Sequence, residues 1–162
     1  MKRRDKVNYY LDIAEEVSHR CTCLRRHYGA VIVKDDEIIS TGYVGAPRGR
    51  INCTDIDSCV REEKKIARGE RYELCRSVHA EANAIISASR KDMLSGSMFL
   101  VGIDMSTSDY IKNANSCAMC KRLIINAGIA KVYVRDDKDN YRAVDVDDWV
   151  INDDSLEGKL GY

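Results

Sequence analysis

This chain has no excess of charge of either sign, no long apolar run and only one proline. Lysine and arginine total 26, and aspartate and glutamate also total 26, so the net charge is zero. A general nucleic-acid binder normally carries an excess of basic residues, so we do not expect DNA or RNA as the partner. The longest apolar runs are far too short to cross a bilayer, so we predict no membrane partner. With one proline in 162 residues and no repeat, low-complexity stretch or linker, we predict a single domain over residues 1–162.

The N-terminus is basic but is followed by no apolar segment, so we predict no secretory signal. Seven cysteines in a chain without such a signal indicate the reducing cytoplasm. In that compartment cysteines serve more often as metal ligands or buried thiols than in disulfides. We therefore expect a cytoplasmic protein whose cysteines bear on a metal.

Apolar spacing, turn residues and charge along the chain predict alternating helices and strands. In chain order these are helix 5–19, hairpin strands 30–33 and 37–41, helix 60–69, helix 79–90, strand 98–103, helix 117–127 and strand 131–134. Gly128 should end the last helix as its C′ residue. Segments 42–52 and 106–116 are predicted loops, and the acidic tail 144–156 contains the single tryptophan, Trp149. This order predicts an α/β fold with one mixed sheet covered by helices.

Two short motifs at predicted helix starts contain the ligands of a metal site. Cys117 and Cys120 are three residues apart, which places both sulfurs on one helix face. His79 begins a separate helix. One nitrogen and two sulfurs leave a fourth tetrahedral position open for water, which is the pattern of a catalytic rather than a structural zinc site. We therefore predict a catalytic zinc ion held by these three residues.

Glu81 follows His79 by two residues, so the two side chains point in different directions and Glu81 is not expected to bind the metal. A carboxylate placed there can take a proton from the zinc-bound water and pass it to the substrate. We predict that Glu81 is the catalytic residue. The alternative is that Glu81 only complements the N-terminal end of its helix dipole.

The Cys-x-x-Cys pair taken alone also allows a thiol–disulfide redox site. The His79-Ala80-Glu81 motif on a second buried helix argues against that alternative. His19 and His27 lie near the first helix, where surface or internally hydrogen-bonded positions are expected. Together the His-x-Glu and Cys-x-x-Cys motifs are typical of zinc-dependent deaminases.

From Tyr28 to Val134, about two thirds of the chain, the sequence resembles the deoxycytidylate (dCMP) deaminase family. The resemblance is specific in four segments, which are 23–34, 39–49, 79–85 and 117–120. It implies a cytidine deaminase-like three-layer sandwich with a mixed central β-sheet covered by helices. It also implies hydrolysis at C4 of cytosine, converting dCMP to dUMP with release of ammonia, and a homo-oligomer. The nucleotides dCTP and dTTP are effectors in parts of the family, although no residue here assigns an effector site.

The resemblance places the substrate loop after the second strand, and two positions depart from the family. Val44 stands where an asparagine usually contacts the sugar, and Ser116 stands where a proline precedes the first cysteine. The predicted substrate contacts are Val44, Arg48, Arg50, Asn52 and Ala80. For the arginines, a solvated loop without substrate contact is an equally weighted alternative.

The resemblance also implies a second, structural zinc. Some members bind one through cysteines at the positions of Cys23 and Cys53, and some bacterial members have further cysteines at the positions of Cys59 and Cys75. A closed four-cysteine site would fasten loop insertion 42–77 to the hairpin. Cys21 is an alternative to Cys23, and unpaired buried thiols are the alternative to a metal.

Deamination of dCMP is thus the expected function. Val44 motivates an alternative, a deaminase of cytidine, a free base or a modified pyrimidine. A catalytically silent zinc-binding regulatory subunit is a third reading, although the four catalytic groups argue against it. Editing of DNA or RNA is disfavoured because the chain has no stripe of alternating aromatic and basic residues.

Overall fold

The computed structural model describes residues 1–157, and residues 158–162 of the predicted domain lie outside this part. Its strands are β1 Arg26–Lys34, β2 Glu37–Tyr43, β3 Ser97–Asp104, β4 Lys131–Arg135 and β5 Tyr141–Asp145. Its α-helices are α1 Lys6–Ser18, α2 Cys53–Ile56, α3 Val60–Glu63, α4 Ala80–Ile86, α5 Arg90–Met93, α6 Ala118–Ala127 and α7 Val146–Ile151. Short 3₁₀ turns occur at Tyr72–Leu74 and Asp154–Glu157. No helix within residues 1–157 is long and apolar enough to cross a membrane.

The five strands form one mixed sheet in the order β2-β1-β3-β4-β5. Only β3 and β4 run parallel, because helix α6 returns the chain between them, and the other pairs are antiparallel. The predicted hairpin is confirmed: Asp35 and Asp36 turn the chain with φ angles of 51° and 65°, the left-handed conformation that a tight two-residue hairpin turn requires. The sheet and its covering helices confirm the predicted α/β sandwich.

Alternation of side chains along the strands gives the sheet two apolar faces. Helix α1 packs on one face, where Leu11 and Ala14 join Val31, Phe99 and Val101 in one buried cluster. Helices α4 and α6 cover the other face. The second buried cluster there includes Ala30, Ile32, Ala84, Met98, Leu100, Ile124, Val132 and Val134. Because each face is closed by helices, the molecule has the expected three layers.

Glycine at two positions lets a helix lie directly on the sheet. A Cβ on Gly29 would lie 2.0 Å from the carbonyl oxygen of Ala14, on α1. A Cβ on Gly42 would lie 2.2 Å from the carbonyl oxygen of Ala80. Since no real Cβ approaches backbone so closely, only glycine permits this packing. The contact at Gly42 fixes the first turn of α4 against the sheet.

The predicted helices 60–69 and 79–90 are wrong in length. The first is confined to α3, because Lys65 adopts a left-handed φ of 51° and the chain then follows a loop. The second ends at Ile86, and α5 begins separately after Ser89, whose side chain accepts a hydrogen bond from the amide of Asp92. Strand β5 and helix α7 were not predicted within the acidic tail.

A buried arginine joins α1 to β4. Arg135 has no exposed side-chain surface and forms ion pairs with Asp12 and Glu15, both at 2.7 Å. It also donates a hydrogen bond to the side chain of Asn8. Lys138 approaches Asp12 only at 3.9 Å and is largely exposed. Arg135 and Lys138 are thus a buried and an exposed cation near the same carboxylate, that of Asp12.

We expect Arg135→Met to lower the free energy of unfolding by about 3 kcal/mol, because it leaves two carboxylates without their buried partner. Removing one partner of a buried ion pair usually costs about 3–5 kcal/mol, and the loss here should lie at the low end because Asp12 keeps Arg4 as a partner. The matched control Lys138→Met should cost less than about 1 kcal/mol, as surface ion pairs do. Urea unfolding of both variants measures the difference, and equal losses would contradict this assignment.

Candidate active site

Two helix N-termini meet at one end of the sandwich and carry the predicted metal ligands. His79 is the N-cap residue of α4, and Cys117 is the N-cap residue of α6. Cys120 lies in the first turn of α6 and is fully buried. Because α4 and α6 lie side by side on the same sheet face, residues 41 positions apart in sequence come together.

The geometry of the three side chains fits a zinc ion. Nδ1 of His79 lies 3.5 Å from Sγ of Cys117 and 3.4 Å from Sγ of Cys120, and the three ligand atoms all lie within 4.8 Å of one another. Bond lengths of about 2.3 Å for Zn–S and 2.0–2.1 Å for Zn–N separate two tetrahedral ligands by about 3.6 Å. The observed spacing therefore suits the metal, and Nδ1 is the nitrogen that faces it.

The charges of the three ligands are interdependent. The neighbouring Cys120 thiol, together with His79, lowers the pKa of the Cys117 thiol despite its burial. The same contact and burial raise the pKa of Cys120. Burial alone would lower the pKa of His79, but the Cys117 sulfur and the Glu81 carboxylate raise it. Cys117 therefore ionises first, and binding of a metal ion removes the remaining protons from the ligands.

Glu81 lies in the first turn of α4, is only 4% exposed and belongs to the same pocket as His79 and Cys117. Burial raises its pKa, while the charge of His79 acts in the opposite direction. A bound dication would lower this pKa again. A buried carboxylate of this kind can both accept and return a proton, which is what proton transfer during hydrolysis requires.

Ser116, at the position where the resemblance implies a proline, is fully buried before Cys117. Its amide N–H donates to Oδ1 of Asn115 at 2.9 Å, a hydrogen bond that proline cannot make. The side chain of Asn115 thus fastens the turn that leads into α6. The substitution leaves the metal ligands in place.

The site opens into a pocket with a strongly asymmetric charge. Four arginines line it, and among the described residues Glu81 is the only carboxylate that does so. The arginines are Arg25, Arg26, Arg61 and Arg68. A pocket with this lining favours a substrate that has both a group for Glu81 to protonate and a negative charge near the four arginines, which we call the rim arginines.

The arginines differ in their availability. Arg25 forms an ion pair with Glu62 at 3.1 Å. Arg61 is buried and donates to two backbone carbonyl groups. Arg26 is half-buried, and its guanidinium group has no hydrogen bond or ion pair among residues 1–157. Arg26 is therefore the rim arginine best able to take a ligand anion.

The predicted substrate residues separate into two groups. Val44 lines the pocket, and Ala80 is buried beside it as the first residue of α4. Arg48, Arg50 and Asn52 instead line a different cleft.

The segment after β2 accounts for this separation. Gly45 forms a β-bridge with Val78, and beyond it the chain leads away from the pocket. Asn52 is already engaged as the N-cap of α2, where it shares a capping box with Asp55. Within one chain the structure therefore does not bring Arg48, Arg50 or Asn52 to the catalytic groups.

The four cysteines of the predicted second zinc site lie near one another. Cys23, Cys59 and Cys75 line the pocket, and Cys53 is buried at the start of α2. Burial raises the pKa of Cys53 and of Cys75, and charge on Cys23 and Cys59 raises both further. In residues 1–157, however, only the histidine-containing group has three ligand atoms within 4.8 Å.

Cys21, the alternative to Cys23, is differently engaged. Its thiol donates to the carbonyl of Tyr28 at 3.1 Å, and burial raises its pKa to about 12. A thiol that is difficult to ionise and already hydrogen-bonded is a poor metal ligand. The structure thus favours Cys23 over Cys21.

Several pocket residues were not predicted from the sequence, namely Arg25, Arg26, Arg61, Arg68, Tyr72 and Asn115. Three of the six, Arg61, Arg68 and Tyr72, belong to segment 57–75, whose path beyond α3 was not predicted. The sequence feature that could have identified them is the occurrence of Arg61, Arg68 and Tyr72 shortly before the His79 motif.

Comparison with known proteins gives a consistent result. The family model described as "Cytidine and deoxycytidylate deaminase zinc-binding region" matches residues 4–135. The deoxycytidylate deaminase of Mycobacterium phage D29 is 32% identical over 137 residues, covering 82% of this chain and 95% of that protein. The Schizosaccharomyces pombe enzyme is 34% identical over 84 residues, covering 52% of this chain and only 26% of its own length.

Solved structures also resemble the chain. The apo dCMP deaminase of cyanophage S-TIM5 superimposes with a TM-score of 0.58 at 25% identity, covering 85% of this chain and 88% of that one. Cytidine deaminase from Burkholderia pseudomallei has a TM-score of 0.55 at 15% identity, covering 85% of this chain and 91% of that one. The second likeness concerns the fold alone.

Proposed function

Because this chain belongs to the cytidine and deoxycytidylate deaminase family, we propose that it hydrolyses dCMP to dUMP and releases ammonia. It is a zinc-dependent hydrolase of C–N bonds, and the proposal concerns its substrate and the roles of individual residues. The observation that carries it is the convergence of His79, Cys117 and Glu81 in one arginine-lined pocket. The S-TIM5 enzyme, which has the same fold, has been crystallised with dCMP and dUMP.

The chemistry divides between the metal and the carboxylate. A zinc ion held by His79, Cys117 and Cys120 would lower the pKa of a water molecule to about 7 and so supply hydroxide. Glu81 can accept one proton of the attacking water and deliver it to N3 of cytosine as the C4–O bond forms. Glu81 can then take the remaining proton of that water from the C4 hydroxyl and deliver it to the amine, so that the C4–N bond breaks and ammonia leaves. One water is consumed, and one dUMP and one ammonia are formed.

The rim arginines support a nucleotide rather than a nucleoside or free base. Among residues 1–157, the half-buried Arg26 guanidinium group forms no ion pair, and no carboxylate other than Glu81 lines the pocket to repel a phosphate. Arginine binds phosphate through paired N–H donors. Val44, which lacks a hydrogen-bonding side chain, supports the competing reading, in which the sugar is held weakly and the substrate is cytidine or a modified pyrimidine.

Further parts of the proposal concern the assembly. One deaminase domain spans residues 1–162, and Cys23, Cys53, Cys59 and Cys75 bind a second, structural zinc that fastens segment 42–77. The protein forms a homo-oligomer in the cytoplasm, and the cleft containing Arg48, Arg50 and Asn52 is available to a neighbouring subunit. The positive charge of that cleft also suits dCTP or dTTP as effectors.

We expect kcat/KM for dCMP to exceed that for deoxycytidine by at least about 100-fold, because removal of the phosphate removes the anion that Arg26 would bind. Ammonia release from dCMP, CMP, deoxycytidine, cytidine and cytosine measures this preference. Good turnover of cytidine without turnover of dCMP would overturn the substrate assignment. Absence of turnover from every compound would favour the silent regulatory subunit.

Arg26→Met provides a sharper test of the rim. If Arg26 binds the phosphate equally in the ground and transition states, the variant raises KM for dCMP and leaves kcat unchanged. Arg122 is exposed on α6 and does not line the pocket, so Arg122→Met is the matched control. An unchanged KM in Arg26→Met would remove Arg26 from the substrate site.

A further inference from the structure

The aromatic ring of Tyr72 packs against the metal ligand His79. The two ring centroids lie 4.9 Å apart and the ring planes meet at 82°, an edge-to-face contact. Tyr72 begins the short 3₁₀ turn that precedes the second predicted zinc segment at Cys75. A residue of the short 3₁₀ turn thus contacts a predicted ligand of the catalytic metal.

Arg61 holds Tyr72 in this position. Its guanidinium carbon lies 4.7 Å from the centroid of the Tyr72 ring, within the range of a cation–π contact. The same group donates to the carbonyls of Ala67 and Arg71, both at 2.9 Å, and Arg61 is only 5% exposed. Arg61 therefore binds the loop on both sides of its turn and packs on the ring that the loop carries.

The backbone directs the ring towards the site. Arg71, immediately before Tyr72, has a left-handed φ of 50°, an uncommon conformation for a residue other than glycine. The hydrogen bond from Arg61 to its carbonyl supports this conformation. A strained backbone beside a catalytic group is typical of segments that the surrounding structure fixes for function.

The orientation of the His79 ring bears directly on metal binding, because its Nδ1 atom faces the two cysteine sulfurs. Partners that fix the orientation of a metal-binding histidine are known to tune metal affinity. Here the edge-to-face contact with Tyr72 restricts rotation of the ring.

We propose that Tyr72 is a positioning residue that orients His79 for zinc binding, and that Arg61 holds Tyr72 in place. Segment 57–75 is then part of the active site as well as a cover for the pocket. The inference rests on the zinc site and not on the identity of the substrate. Its test can therefore give a clear result even if dCMP is not turned over.

Tyr72→Leu and Tyr72→Phe separate the ring from the hydroxyl. Tyr72→Leu should weaken zinc binding by about 10–100-fold, the usual effect of losing a partner that orients a ligand. It should also shift the visible absorption bands of the cobalt-substituted protein, because the ligand field depends on the direction of the imidazole. Tyr72→Phe keeps the edge contact and should resemble wild type in both measurements. Zinc affinity is measured by competition with a chromogenic chelator.

Tyr141→Leu is the control, since Tyr141 is a partly exposed tyrosine on β5 that does not line the pocket. It should leave zinc affinity and the cobalt spectrum unchanged. Wild-type zinc affinity and spectrum in folded Tyr72→Leu would overturn the proposal, as would a change in KM alone. If Tyr72→Leu does not fold, Arg61→Lys is the second variant to measure. Lysine keeps the positive charge but cannot form both hydrogen bonds of Arg61. Zinc affinity equal to that of wild type in this variant would then overturn the proposal.

Discussion

Glu81→Gln is expected to keep its zinc and lose dCMP turnover by a factor of about 10²–10⁴ in kcat. Glutamine has nearly the same shape as glutamate but can neither accept the proton of the attacking water nor return one to the amine. None of the three metal ligands is altered, so zinc content should equal that of wild type. The measurement is ammonia release together with metal analysis on the same sample.

Glu16→Gln is the matched control for this experiment. Glu16 lies on α1, its side chain is 79% exposed, and it is remote from the pocket. Its turnover should equal that of wild type. Full activity in Glu81→Gln would rule out proton transfer through Glu81, leaving only its contribution to the start of α4.

Cys120→Ser is expected to reduce the zinc content by one ion per chain and to abolish turnover. Cys120 is completely buried, and its sulfur lies 3.4 Å from Nδ1 of His79. A serine hydroxyl does not ionise near neutral pH and is a much poorer zinc ligand than a thiolate. The folded state should also lose the stabilisation that zinc provides, about 2.7 kcal/mol when free zinc is 100 times its dissociation constant.

Cys21→Ser makes the same chemical change at a buried thiol outside the metal group. Its hydroxyl can still donate to the carbonyl of Tyr28, as the thiol does. This variant should keep its zinc, its turnover and its response to a chelator. If Cys120→Ser retained the full zinc content and activity, the ligand assignment would be wrong.

The parts of the fold that the sequence predicted well depend on local chemistry. The turn at Asp35-Asp36 follows from two residues that tolerate positive φ between apolar strands. Helix α6 ends where Gly128 takes a left-handed φ of 78°. The ligands His79 and Cys120 were recognisable because each motif has a spacing that its chemistry imposes.

The parts that were missed depend on contacts between distant residues. Segment 57–75 was predicted to hold a helix over 60–69, but beyond α3 its path depends on hydrogen bonds from Arg61 to the carbonyls of Ala67 and Arg71. The place of Tyr72 beside His79 follows from that path. Strand β5 is a short edge strand with alternating exposure, whose pairing with β4 cannot be read from its own residues.

The arginines of the segment after β2 show a different limit of sequence reasoning. Arg48 and Arg50 lie four and six residues after Val44, which does line the pocket, and this proximity in sequence made them candidates for substrate contacts. The bridge between Gly45 and Val78 sends the chain to another cleft. Arg26 instead approaches the pocket from the start of β1, a position that only the folded sheet determines.

The most direct test of the central claim is ammonia release from dCMP by the purified protein, with zinc content determined on the same sample. The account predicts turnover with two zinc ions per chain if the four-cysteine site binds metal, and turnover with one if it does not. Removal of zinc by a chelator should stop the reaction, and added zinc should restore it. A protein with zinc bound that releases no ammonia from dCMP would contradict the account.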